Sequence, residues 1–347
     1  MPRERFAIVH ELVRRAVESG DFPAAAYAAG CREQVLVRGV CGDARPDTLF
    51  DMASLSKVLS ATMIALRLIE DGLICLSDTV GRFFTAPPDK TDITIRQLMT
   101  HTSGIAAHFH LTDWTDDPAK AVDVVLAQPL SARPGEATIY SCMGYILLGK
   151  ILEQVGGQHL DRLARDWVFD PLGMTRTTYR PEGDIAPTEW DSINGRLICG
   201  TVHDENARFL KGISANAGVF SDLDDMIRFA VMLACGGSQA DGSAFLSPAM
   251  YRLATTNQTP GKSEHRGLGF QLAGDGSFMG DLFPAGSFGH TGFTGTSLAV
   301  DPSSGLYVVL LTNRVNPTRD NLAIIRFRKI FHNAIIATFS RNDQSCG

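Results

Sequence analysis

The sequence has no long hydrophobic run, and the stretch Leu306 to Leu311 falls far short of a bilayer crossing, so no transmembrane helix is expected. There is no long basic run either. Net charge is −6 over 347 residues with both signs mixed along the chain, which offers neither nucleic acid nor an anionic membrane an electrostatic reason to bind. HExxH and CxxC spacings are missing. His101, His108 and His110 are the nearest thing to a metal-ligand set, and without ligand spacing they read as solvated side chains in a polar loop. The seven cysteines are scattered and odd in number, which fits free thiols in a reducing compartment better than a disulfide framework. The N-terminal twenty residues interleave arginine and glutamate and lack the apolar core of a signal peptide, so a cytoplasmic location is the expectation.

Gly-x-Ser-x-Gly, the strand-to-helix elbow of many serine hydrolases, does not occur. What does occur is Ser54-Leu55-Ser56-Lys57, and Lys57 is the only lysine with a serine three places before it. Residues three apart on a helix face the same way, so Ser54 in the first turn can share a proton with Lys57 one turn on. A serine at a helix N-terminus also meets free N–H groups and a dipole that favour developing negative charge. Burial among Leu55, Val58 and Leu59 is expected to lower the Lys57 pKa and make it a usable base. Taken alone, the tetrad reads equally as a plain helix N-cap followed by an exposed lysine.

Periodicity predicts a helix over 5–19 ending at Gly20, and a hairpin of Ala24–Ala29 and Gln34–Val40 around a turn at Gly30. A helix from Ser54 stops at Gly72. Helices and long turns dominate 73–265, among them Met143–Val155 and Leu223–Ala234. Short β-prone runs follow at Leu268–Leu272, Ser287–Phe293, Thr296–Val300 and Leu306–Thr312, then a closing helix over Asn321–Phe339. Strands at both ends with helices between predict an α/β (α+β) fold with a mainly antiparallel sheet flanked by helices. Its sheet domain is expected over 1–60 and 266–347 and a helix-rich domain over 61–265, with the site in the cleft between.

The stretch Thr48 to Lys57 resembles the nucleophile segment of the serine hydrolase family that includes class C β-lactamases, D-alanyl-D-alanine peptidases and family VIII carboxylesterases. Further matches follow in order. Leu98 to Gly104 resembles that family's Leu-Leu-Thr-His-Thr-Ser-Gly turn, Pro134-Gly135-Glu136 through Tyr140-Ser141 the lead-in to its Tyr-Ser-Asn element, and Gly289-His290-Thr291-Gly292 the histidine form of its Lys-Thr-Gly strand. The resemblance spans almost the entire chain and implies a β-lactamase/transpeptidase-like fold, a penicillin-binding-protein-like relationship and no cofactor. It implies Tyr140 as the third catalytic side chain, with a pKa pulled well below about 10 by Lys57. It also implies an oxyanion hole from the N–H groups of Ser54 and Phe293, with His290, Thr291 and Gly292 along a strand edge beside the nucleophile and Gly292 allowing close backbone approach.

Two departures stand out. Cys142 occupies the place of the family's usual asparagine, and a thiol is a weak hydrogen-bond partner for a substrate amide. Gly200 to Ala207, with His203 and Asp204, resembles a segment of some penicillin-binding-protein-like members, without a role assignable from sequence beyond a rim contact. The expected activity is a serine hydrolase forming an acyl-enzyme on a small ester or amide. The alternatives are a D-Ala-D-Ala peptidase or β-lactamase, and, in a different class, a catalytically silent penicillin- or peptide-binding module on the same fold.

Overall fold

The computed structural model describes residues 5–341. Its opening helix, Ala7–Glu18, buries Val9, Val13 and Ala16 on one stripe and is followed by Gly20 at φ +78°, as its periodicity predicts. Strands β1 (Ala24–Cys31) and β2 (Gln34–Gly42) then form the expected hairpin. Its turn, however, is not at Gly30. Gly30 lies within β1 at a register shift, where a side chain would sit 2.2 Å from the Tyr307 hydroxyl, and the chain reverses at Arg32 with φ +49°.

Strand β3 (Phe50–Asp51) leads into the Ser54 segment. The predicted helix there is irregular: a 3₁₀ turn over Ala53–Leu55, a π turn over Lys57–Thr62, and α-helix only from Met63 to Glu70, closed by Gly72 at φ +71°. Helices dominate the following residues, including Cys142–Gly156 and Leu223–Ala234. A small ladder of β4 (Trp190–Asp191) and β5 (Arg196–Leu197) interrupts them, and β6 (Phe220–Ser221) returns to pair with β3.

The C-terminal strands are β7 (Gln271–Leu272), β8 (Phe288–Thr291), β9 (Ser297–Asp301) and β10 (Leu306–Thr312), and the closing helix is Ala323–Ser340. One antiparallel six-stranded sheet runs β2-β1-β10-β9-β8-β7, so the last long strand lies against the first. Side-chain alternation explains why both faces of its centre are covered. Tyr307, Val309 and Leu311 of β10 join the large core shared with the intervening helices, whereas Leu306, Val308 and Leu310 pack with the opening and closing helices.

Cysteines depart from expectation at one place. Cys41, Cys75, Cys142, Cys199 and Cys235 are free, but Cys31 is disulfide-bonded, and Cys346 lies outside the described residues. Spacing along the chain carries no record of which sulfurs the fold brings together, so the odd count does not argue for a reducing compartment. No helix among the described residues is long and apolar enough to cross a membrane.

Candidate active site

The Ser54 segment is pinned from below. The buried Asp51 carboxylate accepts the N–H of Ala53 at 2.8 Å and that of His203 at 2.6 Å, and burial pushes its pKa up against those two bonds. Ala53 is held at φ +45°, a left-handed conformation unusual for a residue with a Cβ. This bend starts the 3₁₀ turn that carries Ser54. Ser56, fully buried, accepts the Val219 N–H at 3.0 Å and ties the turn to the residue preceding β6.

Lys57 is fully buried, and its Nζ donates to Ser54 Oγ at 3.0 Å and to the carbonyl of Asn216 at 2.9 Å, with Cys142 Sγ at 3.5 Å. The Tyr140 ring lies 4.9 Å from the same nitrogen. Tyr140 is delivered by the turn before helix Cys142–Gly156, which Ser141 caps by accepting the Gly144 N–H at 2.9 Å. His101, at φ +58° in the Leu98–Gly104 turn, is buried rather than solvated. Its Nδ1 accepts the Ser141 N–H at 3.0 Å and its ring packs 4.4 Å from that of Tyr140. The Tyr140 hydroxyl is buried without a hydrogen bond among the described residues, although Ser54 and Lys57 are close enough to favour its ionisation.

The charges differ from the sequence expectation. Burial is the largest influence on Lys57 and draws its pKa down, but attraction from Cys142, Tyr140 and Asp204 outweighs it, and the net direction is up. For Tyr140, burial raises the pKa more than Lys57 lowers it. The two directions compete, since Tyr140 and Cys142 attract Lys57 fully only when ionised. The raised Tyr140 is the firmer of the two, because its cause, burial of the hydroxyl, does not depend on the charge of a neighbour. The expectation of a Tyr140 well below 10 is corrected by its burial, and for Lys57 the net direction is up rather than the expected down.

Strand β8 packs beside the Ser54 turn. Its His290 is buried, with Nδ1 2.8 Å from the Thr291 carbonyl, and burial and then Arg266 and Lys57 hold its pKa well below the usual value. Thr291 is half-buried. At Gly292 a Cβ would stand 2.1 Å from Thr296 Oγ1 and 2.5 Å from the Met52 carbonyl, so close approach to the Ser54 segment requires glycine. Thr294 and Thr296 reinforce that approach, donating to the carbonyls of Asp51 and Met52 at 2.7 and 3.2 Å. Among the described residues, neither the Ser54 nor the Phe293 N–H has an acceptor. The Phe293 ring is 48 % exposed, lying 4.3 Å from the Arg314 guanidinium carbon and stacked on His203 at 5.7 Å.

Several participants escaped the sequence analysis. Asn216 has no motif to betray it, because its carbonyl does the binding. His203 and Asp204 are more than rim contacts. His203 holds Asp51 and meets Glu189 at 3.0 Å, while Asp204 accepts from Asn216 Nδ2 at 3.1 Å and caps helix Glu205–Phe209. Arg266 is only 4 % exposed, with its guanidinium 5.3 Å from the Tyr140 ring. Its one sequence signal is a charge at the edge of the β-prone run 268–272.

With this geometry in place, the family model described as Beta-lactamase matches residues 9–331. The chain belongs to the beta-lactamase family. It is a serine hydrolase of that family, and the match is consistent with an acyl-enzyme route. A relative from Escherichia coli (strain K12), named "Putative D-alanyl-D-alanine carboxypeptidase", is 28 % identical over 303 residues, 77 % of this chain and 69 % of its own length. Among solved structures, EstCE1, a hydrolase with promiscuous acyltransferase activity, is similar with a TM-score of 0.76 and 22 % identity, covering 96 % of this chain and 99 % of its own. An octameric penicillin-binding protein homologue from Pyrococcus abyssi gives a TM-score of 0.75 and 20 % identity, covering 95 % and 77 %. The two structures support the fold that the sequence predicted for this beta-lactamase family member.

Proposed function

We propose that Ser54 is the nucleophile, that Lys57 and Tyr140 act as one proton-transfer unit, and that the N–H groups of Ser54 and Phe293 hold the oxyanion. The site lies in the cleft between a sheet domain (1–60 and 266–347) and a helix-rich one (61–265). The observation that carries this reading is the fully buried Lys57, with Nζ 3.0 Å from Ser54 Oγ. Burial holds the proton on Tyr140, so the pair becomes active by shedding one proton. The deprotonated pair takes the Ser54 proton as Oγ attacks the carbonyl, then returns it to the leaving oxygen or nitrogen as that bond breaks. Water, giving up its proton to the same pair, releases the acid and restores Ser54.

The substrate we favour is a small ester. Neutral His290 offers no permanent charge for a carboxylate beside the scissile bond, and the Cys142 thiol is a poor anchor for a substrate amide. The carboxypeptidase name of the Escherichia coli relative favours a second reading, a D-amino-acid peptide. Intact-mass spectrometry after a fluorophosphonate should show one adduct on the wild type and none on Ser54→Ala. Comparison of kcat/KM on p-nitrophenyl butyrate, a chromogenic cephalosporin and a D-Ala-D-Ala peptide then separates the readings. Peptide or cephalosporin turnover exceeding ester turnover would reject the ester preference, and labelling at another serine would reject the site.

A further inference from the structure

Five buried polar atoms that make no hydrogen bond among the described residues belong to one cluster: Tyr140 Oη, His101 Nε2, His290 Nε2, and Arg266 Nε and Nη1. Around the Tyr140 ring stand His101 at 4.4 Å, His290 at 5.8 Å, Arg266 at 5.3 Å and Lys57 at 4.9 Å. Hydrogen bonds assign the tautomers. His101 Nδ1 accepts from Ser141, so its proton is on Nε2, while His290 Nδ1 faces the Thr291 carbonyl and must carry the proton itself. Both rings are neutral, because burial first and the Arg266 charge second hold them well below their usual pKa.

The titratable groups facing the phenol are thus Lys57 from the nucleophile segment, Cys142 and Tyr145 from the helix that follows Tyr140, His101, His290 and Arg266, with Asp204 acting on Lys57 from behind. Only Lys57 and Arg266 among those around the ring are cationic. Arg266 is an expensive residue to bury. Glu264 accepts from its Nη2 at 2.7 Å and is shared with Gln271, and Nε and Nη1 of Arg266 have no acceptor among the described residues. Its ion pair among the described residues is with Glu264. A guanidinium against an aromatic face does, however, stabilise negative charge as it develops on that ring's oxygen.

We propose that Arg266 is a positioning residue for Tyr140, its buried guanidinium stacking on the ring to fix its place and to favour the phenolate formed when Tyr140 passes its proton on. The proposal rests on Tyr140 being a proton carrier. Removing a positive charge beside the Lys57–Tyr140 pair makes the pair harder to deprotonate, so the rise of activity with pH must move to higher pH.

The test is the pH dependence of kcat/KM on p-nitrophenyl butyrate from pH 5.5 to 9.5, for the wild type, Arg266→Met, Arg266→Lys and Tyr140→Phe, each checked for folding by circular dichroism. For Arg266→Met the rising limb should shift up by about one pH unit, as a charge about 5 Å away in a partly screened site dictates. Its kcat should fall roughly tenfold or more with KM within about twofold. Arg266→Lys, which keeps the charge, should keep the wild-type limb, and it carries the comparison if Arg266→Met does not fold, since a limb shifted upward in the lysine variant would overturn the role of charge. An unmoved limb in Arg266→Met alongside reduced kcat would mean a structural role only. A loss confined to KM for carboxylate-bearing substrates would make Arg266 an anion anchor instead. Full activity in Tyr140→Phe would end the parent reading, whereas an inactive Tyr140→Phe with a wild-type limb in Arg266→Met ends this inference alone.

Discussion

Strand β10 and the Met52–Thr62 segment are both buried, yet they are built on opposite terms. Every residue of β10 is buried in regular geometry between β1 and β9, and its alternating side chains feed the two cores. The Ser54 segment bends through a left-handed Ala53, then 3₁₀ and π turns, and faces a cluster of polar atoms that make no hydrogen bond among the described residues. The difference teaches where stability and reactivity are kept. A saturated ladder lends rigidity to its neighbours, and the site uses that rigidity to hold conformations and charges that would relax if left to themselves.

The sharpest way to break the comparison is at the site. Lys57→Ala and Tyr140→Phe should each lower kcat/KM by about 10²–10⁴, and the double variant should lose little more, because residues passing one proton act as a unit. Steady-state kinetics of the three variants measures this. Losses that multiply would show independent roles. Chemical denaturation should meanwhile find the fold intact.

Leu310→Ala tests the other side. Its side chain is fully buried under the terminal helices, so truncation should cost about 2–5 kcal/mol by urea unfolding while leaving kcat/KM at 25 °C near the wild-type value. Activity falling in step with stability would mean the sheet and the site are not separable in this way.

Acid probes the buried histidines. His332, enclosed by Phe278, Phe283 and Phe331, has its pKa pushed down to about 3 by burial and then by Arg328. The unfolded chain takes up that proton near the ordinary value of about 6.5, so the contribution is fully present above pH 6.5 and is lost as pH falls toward 3. Between pH 6.5 and 4.5 the loss from this residue is about 2–3 kcal/mol. Urea midpoints across that range should fall, and His332→Gln should flatten the slope. An unchanged slope in that variant would place the acid sensitivity elsewhere.

The smallest effect is expected at Ala53. Glycine accepts φ +45° without strain, so Ala53→Gly should stabilise the protein by up to about 1 kcal/mol while lowering kcat, since a bend that is no longer strained is also less firmly set. Thermal unfolding and kinetics together decide. A destabilised variant would mean the Ala53 methyl contributes more by packing than its backbone costs.

Legibility followed the range of the interactions. The spacing of Leu223–Ala234 and Leu306–Thr312 foretold those elements to the residue, because a helix stripe and a buried strand are written in consecutive side chains. The hairpin turn was misplaced because Gly30 is needed for the Tyr307 side chain arriving from the far end of the chain. The regular helix expected from Ser54 gave way to 3₁₀ and π turns for a similar reason: contacts with Asp51, Val219 and Thr296 outweigh local helical preference.

By itself the sequence determined the candidate nucleophile and its lysine, three residues apart and therefore on one side of any helical turn, and it placed strands at both ends of the chain. Only the tertiary structure decided the direction in which the pKa of that lysine and of Tyr140 moves, and the company Tyr140 keeps. Those depend on burial, on the charge of Asp204 and on the Arg266 and His290 side chains around the ring, residues distant in sequence, and electrostatic energy depends on separation in space and exposure to water, neither of which a linear chain records.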